Sequence, residues 1–297
     1  MSYKNCRLCG RECSVNRESG ELGFCKMTAT VRVARSALHF WEEPPISGTR
    51  GSGTIFFSGC SLGCSFCQNA AISGGESGLP VTVFRIAEMM LELEEKGAHN
   101  INFVTPTHYI PTVKEAVILA KEQGLKIPTV YNTGSFDTVE ALRTLDGIVD
   151  IYLPDFKYWR HKTAMKYSKA ATYPEVAKAA IAEMVRQRGA PVIENGIMKS
   201  GVIVRVLLLP SHLAEAKLSV KYLLDTYGEG IYVSLMNQYT PLAGTAPPLD
   251  RRVTHAEYGE LVDYALKHGL KNGFTQEWGT ASESFIPPFD NTGVLKR

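Results

Sequence analysis

Three cysteines, Cys60, Cys64 and Cys67, fall within eight residues directly after the apolar run Thr54-Ile55-Phe56-Phe57, a strand that would aim the loop behind it. Thiolates three and four positions apart on a tight loop can converge on one iron–sulfur cluster, and Gly59 and Gly63 permit the turns this requires. Three thiolates leave one iron of a 4Fe-4S cluster without a protein ligand. An open iron invites a small molecule, as the open position on catalytic zinc does, whereas an electron-carrying cluster ordinarily has four protein ligands. A second group, Cys6, Cys9, Cys13 and Cys25, supplies four thiolates, with Gly10 and Gly23 to relax the loops. That number suits a closed zinc site or a second iron–sulfur cluster; the spacing separates neither from the other, and unligated thiols stay open as a third reading.

The elements that must hold these residues are those of an α/β chain. From Gly53 onward, short β-rich runs alternate with helical segments, the pattern of βα units around a parallel sheet. Strands are expected near 53–58, 101–104, 127–131, 148–153, 202–208 and 231–236. Between them, Ile86, Met89, Met90 and Leu93 recur at helical spacing, as do Val113, Ala116, Val117 and Ala120, then Val176, Ala177, Ala180, Ile181 and Met184. Thr254 and Glu257 form a capping box ahead of Tyr258, Leu261, Val262 and Ala265. The expected architecture is a partial (β/α)6 parallel barrel over 51–240, whose carboxyl-end loops carry the site. A Cys-rich, metal-tied extension of 1–50 precedes it, and a helical or loop segment of 241–297 packs on it. Arg205 interrupts the apolar run Val202–Leu209; a buried guanidinium needs an acidic residue or ligand opposite.

Composition narrows the classes. The 297 residues are 44% apolar, enough for one large domain, and a net charge of +2 with interspersed signs does not favour nucleic acid. No signal-peptide pattern or membrane-length apolar stretch occurs, so no membrane partner is expected and the chain is read as cytoplasmic. In that compartment clustered cysteines read as metal ligands rather than disulfides.

CxxxCxxC with aromatic Phe66 before the last cysteine resembles the motif of the radical S-adenosylmethionine (radical SAM) superfamily, and Cys67-Gln68-Asn69 is similar to the Cys-His-Asn of pyruvate formate-lyase activating enzymes. The chain resembles the poorly characterised subgroup likened to those activating enzymes. The resemblance implies that the open iron binds S-adenosylmethionine, whose reductive cleavage gives a 5′-deoxyadenosyl radical for hydrogen abstraction. It also implies cofactor-binding roles for strand-end residues. Where the family has Gly-Gly-Glu, this chain has Thr105, Pro106, Thr107 and His108, with no carboxylate for the usual ammonium contact. Asn132 lies in a turn like the family's third-strand turn, and Asp155 and Lys157 match its Asp-x-Lys. Alternation puts these last two on one face, where together they can meet the zwitterionic methionyl end. Arg205 matches a fifth-strand arginine, and Gln238 and Tyr239 close the sixth strand; Phe66 and Asn69 complete the expected contacts.

Three functions compete. One is activation of a glycyl-radical protein; another is radical modification of a peptide or small molecule; the last is a non-catalytic electron carrier, which the open iron disfavours. An electron donor of flavodoxin or ferredoxin type is the expected partner of the first two.

Overall fold

The apolar runs between glycine-marked stops become the strands of one sheet in a computed structural model that describes residues 2–277 and 286–296. Ten strands occur among them: β1 Val31–His39, β2 Ser52–Phe57, β3 Leu79–Val81, β4 Ile101–Val104, β5 Thr129–Thr133, β6 Ile151–Pro154, β7 Val192–Glu194, β8 Ile197–Leu207, β9 Tyr232–Met236 and β10 Gly273–Thr275. Their order is β10-β9-β8-β6-β5-β4-β2-β1-β3, with β7 beside β8. From β2 to β10 along this path every pairing is parallel. The sheet is thus mostly parallel and open, an incomplete (β/α) barrel, and its six central strands are those expected from the sequence. β5 and β6 start slightly later than expected, because Pro128 lacks the N–H that a central strand donates and the turn after Leu145 runs to Val149.

Two strands come from outside the expected barrel span. The stretch 1–50 contributes β1, antiparallel to β2 with Val33 opposite Phe57 and His39 opposite Ser52. Its signal was masked by Arg32 and Arg35, whose guanidinium groups find Gly78 O at 2.6 Å and Asp290 Oδ1 at 2.9 Å. The segment 241–297 contributes helix His255–Lys267 and also β10, parallel to β9; residues 278–285 and 297 of that segment lie outside the described residues.

The crossover helices bury their expected stripes. Ile86, Met89, Met90 and Leu93 are fully buried on helix Val83–Glu95, while Arg85 pairs with Glu88 and Glu92. Helices Ile110–Glu122 and Tyr173–Arg188 bury Val113, Ala116, Val117 and Ala120, and Ala177, Ala180, Ile181 and Met184. Helix His161–Ser168 and helix Leu213–Tyr227, which the sequence reading did not mark, complete the outer layer. Thr254 and Glu257 form the capping box.

Both ends of the described chain are stitched to the sheet's rim. Cys9 bridges Asp137 and Gly10 N donates to Phe136 O at 2.8 Å. Ser36 N donates to Thr292 O and Asn291 N to Ala34 O, tying the last residues along β1.

Candidate active site

At the carboxyl ends of the parallel strands lies a cavity of about 420 Å³, lined by Cys60, Cys64 and Cys67 together with residues on, or directly after, the central strands. β2 delivers the cysteine loop. Gly59, at φ +85°, turns the chain where a β-carbon would come within 2.3 Å of Met27 Cγ, so no side chain fits there. Phe66 is buried edge-to-face against Tyr158, Tyr167 and Tyr239, which fixes the loop from beneath. The hydroxyl of Ser168 donates to Cys64 Sγ at 3.0 Å and Leu62 N to Cys60 Sγ at 3.4 Å.

Burial pushes the Cys60 thiol up, with Cys64 adding to the effect, and drives Cys67 up to about 12. Buried thiolates that repel one another need a cationic centre before they ionise, which is the donor chemistry of a metal cluster. No described cysteine is in a disulfide. Among the described residues, no three His, Cys, Asp or Glu side chains converge on a single-ion position. A cubane core is larger than one ion, so three thiols lining one cavity can hold it without converging on a single point.

A charged network lies across the cavity. Lys157 Nζ meets Asp155 Oδ2 at 2.5 Å, and Arg205 Nε meets Asp155 Oδ1 at 2.6 Å. Arg205 donates further to Asn132 Oδ1 at 2.6 Å and to Glu42 Oε2 at 3.2 Å. The acidic partner required by Arg205 is therefore double, Asp155 directly after β6 and Glu42 from the segment after β1. Burial alone would raise Asp155, but Arg205 and Lys157 outweigh it and hold the carboxyl below its ordinary value. Lys157 is raised: burial disfavours its charge, and Asp155 more than offsets that.

Glu42 and Glu43 were not among the residues expected here. Glu42 Oε1 accepts from Asn102 Nδ2 at 3.0 Å and Asn132 Nδ2 at 3.2 Å, so its carboxylate is met by donors on both oxygens. Glu43 is 8% exposed, and its Oε2 has no hydrogen-bond partner among the described residues. Burial raises both carboxyls, Arg205 notwithstanding. The available signal was the acid pair before Pro44-Pro45, read against the demand of Arg205; its remoteness in sequence hid the connection.

The other expected residues divide. Asn69, Thr105, Thr107, Asn132, Gln238 and Tyr239 line the cavity. Thr105 turns at φ +58°, and Thr107 Oγ1 lies 3.2 Å from Thr133 Oγ1, which donates to buried Asp137 at 2.6 Å. Tyr239 presents its ring only, since its hydroxyl donates to Leu249 O at 2.5 Å. His108 does not line the cavity. The turn Thr107–Tyr109 tucks its ring behind the cysteine loop, where Nε2–H donates to Ser58 O at 2.8 Å and burial drives its pKa down to about 3. A neutral, committed imidazole is a strut. Cys6, Cys9 and Cys25 are buried and Cys13 is half-buried in the segment docked beside this loop; burial raises Cys9 and Cys25.

A profile of the radical SAM superfamily matches residues 54–201. An uncharacterized protein of Methanocaldococcus jannaschii is 32% identical over 279 residues, spanning 90% of this chain and 76% of its own. The fold is similar to that of Streptococcus suis SuiB bound to S-adenosylmethionine, with TM-score 0.52 and 12% identity over 74% of this chain and 49% of that one. It is similar also to the FeFe-hydrogenase maturase HydG from Carboxydothermus hydrogenoformans, with TM-score 0.51 and 11% identity over 78% and 59%. The chain thus spans about half the length of SuiB.

Proposed function

The chain belongs to the radical SAM superfamily, and from that premise we propose that Cys60, Cys64 and Cys67 hold a 4Fe-4S cluster whose open iron takes S-adenosylmethionine for hydrogen abstraction from a substrate. When bound, the cluster supplies the electron that cleaves the sulfonium to methionine and a 5′-deoxyadenosyl radical. The observation that carries this reading is the shared cavity: three thiols face a network whose carboxylate, ammonium and guanidinium match a zwitterionic amino acid. Lys157 and Arg205 would take the methionyl carboxylate. Thr105 and Thr107 offer acceptors for the ammonium, and Asn132, held by Arg205, orients the cofactor. The aromatic wall around Phe66 keeps water from the loop.

For the substrate, the reading is a glycyl-radical protein, with a peptide or small molecule as the alternative; a donor of flavodoxin or ferredoxin type would supply the electron in the cytoplasm. Cys6, Cys9, Cys13 and Cys25, four disulfide-free thiols of one docked segment, are read as ligands of a second cluster or of zinc; as they stand no three of them converge on a single-ion position, so zinc would require them to close in. No helix of the described residues is long and apolar enough to cross a membrane.

The test is anaerobic reconstitution. The protein should show a reduced-cluster signal in electron paramagnetic resonance that S-adenosylmethionine perturbs, and should release 5′-deoxyadenosine slowly. Each of Cys60→Ala, Cys64→Ala and Cys67→Ala should abolish both. Any one of them keeping the full perturbed signal would overturn the assignment.

A further inference from the structure

We infer that Arg11 is a positioning residue for the catalytic cysteine loop, and that through it the Cys-rich N-terminal segment is a working part of the active site. The inference deepens the reading of Cys60–Cys67 as a cluster loop and rests on it. Arg11 stands between Cys9 and Cys13, far in sequence from the loop, yet its guanidinium reaches across to it. Nε donates to Ser61 O at 2.9 Å and Nη2 to Leu62 O at 3.2 Å, the two carbonyls directly after Cys60. The same fork donates to Ser168 O at 2.6 Å and to Lys169 O. Ser168 is the residue whose hydroxyl donates to Cys64 Sγ. One side chain therefore ties down the peptide units following the first cysteine and the hydrogen-bond donor to the second.

Only a planar, five-donor cation can do this. A lysine ammonium would keep the charge but could not span four carbonyls on two segments. The fork is itself held in place: it stacks 3.6 Å from the ring centroid of Phe24, whose edge covers Gly63, the residue before Cys64. A second arginine repeats the device one layer behind. Arg17, 1% exposed, donates to Met27 O at 2.8 Å, Thr28 O at 2.7 Å and His108 O at 2.5 Å, and His108 in turn donates to Ser58 O. From Ser58 to Gly63 the side of the loop away from the cavity thus rests on residues 11, 24 to 27 and 108, nearly all from the segment that carries Cys6 to Cys25.

The contact is also electrical. Burial lowers Arg11, and the nearby cysteines, Cys9 and Cys13 first and then Cys60 and Cys64, partly offset that by favouring its charge. The converse follows: a fixed guanidinium favours the more negative, reduced state of a cluster held by those thiolates.

The experiment compares the full-length protein with Arg11→Lys and Arg11→Ala. In metal-free protein, hydrogen exchange of the backbone amides of residues 60–64 should accelerate by about tenfold or more in both variants, as expected when charge-assisted hydrogen bonds to a loop are lost, with β4 and β5 amides unchanged as a fold control. In reconstituted protein, the cluster's midpoint potential should move to a more negative value in Arg11→Ala and stay near the wild type in Arg11→Lys, which keeps the charge. Unchanged exchange at 60–64 in Arg11→Ala would overturn the positioning role. Faster exchange with an unaltered potential in Arg11→Ala would overturn it as well, reducing Arg11 to a strut. If wild-type protein took up no cluster on Cys60, Cys64 and Cys67, the functional reading would fail, while exchange in the metal-free protein would still decide whether Arg11 clamps the loop.

Discussion

Replacing Arg205 with methionine isolates what the buried charge network does for the fold. Arg205 is 11% exposed and is the shared partner of Asp155 and Glu42. Removing it leaves Glu42 without a cationic partner and Asp155 with Lys157 alone, and breaking a buried pair in this way costs about 3–5 kcal/mol near neutral pH. Its pH dependence follows from the direction of each shift. In the wild type, Asp155 is held below its ordinary value, so it contributes stability above its unfolded pKa that is lost as pH falls through the folded one. Glu42 is already raised by burial, and losing Arg205 raises it further. A raised acid costs the folded state most at high pH, and the cost disappears as pH falls through its folded pKa. The variant, whose Glu42 is raised further, therefore regains more stability than the wild type as pH falls from about 7 toward 4 and the deficit narrows, while the wild-type contribution of Asp155 is lost only below about pH 4. Urea unfolding of metal-free, reduced protein at the two ends of that window measures it. A deficit below about 1 kcal/mol at neutral pH, or one equal at both ends, would show that these carboxylates do not depend on Arg205 for their charge.

Lys157→Ala should raise the dissociation constant for S-adenosylmethionine by about tenfold in equilibrium dialysis while leaving iron content intact, since only one charge-assisted contact to the cofactor is lost. Gly59→Ala should destabilise by about 1–3 kcal/mol and lower cluster content, because a methyl group there meets Met27 on a backbone at φ +85°; a normal iron count and melting temperature would show that the loop relaxes freely. Thr254→Ala removes the side-chain half of the capping box on helix His255–Lys267, the hydrogen bond accepted from Glu257 N, while the backbone N–H at 254 still donates to Glu257; it should cost about 1 kcal/mol in thermal unfolding, with no effect on the cluster signal.

What could be read in advance was whatever local spacing carries. The cysteine loop, the Asp155 and Lys157 pair and the six central strands each announce themselves within a few residues, because thiolate convergence, alternation and burial act over that range. Arg205 announced that an acid must face it without saying which. Glu42 answers from the segment just after β1, a strand that runs antiparallel to its neighbour and carries two arginines, so neither period nor composition marked it. His108 misled for a related reason. Its place after β4 suggested the cavity, but the turn beginning at Thr105 points the chain behind the loop. The support that Arg11 gives is invisible in sequence, since its partners lie 50, 51, 157 and 158 residues away.

Those separations set an order of assembly. Cys9 and Gly10 pair with Asp137 and Phe136, and Arg11 with Ser168 and Lys169, so residues 9–11 have no complete seat until residues 168 and 169 have been synthesised. Loop closure over such lengths comes late, after the local βα units have formed. Until then the nascent cysteine loop lacks its backing, and a cluster delivered early would sit on an unsupported loop. The topology in this way places the completion of the loop's backing after the local βα units.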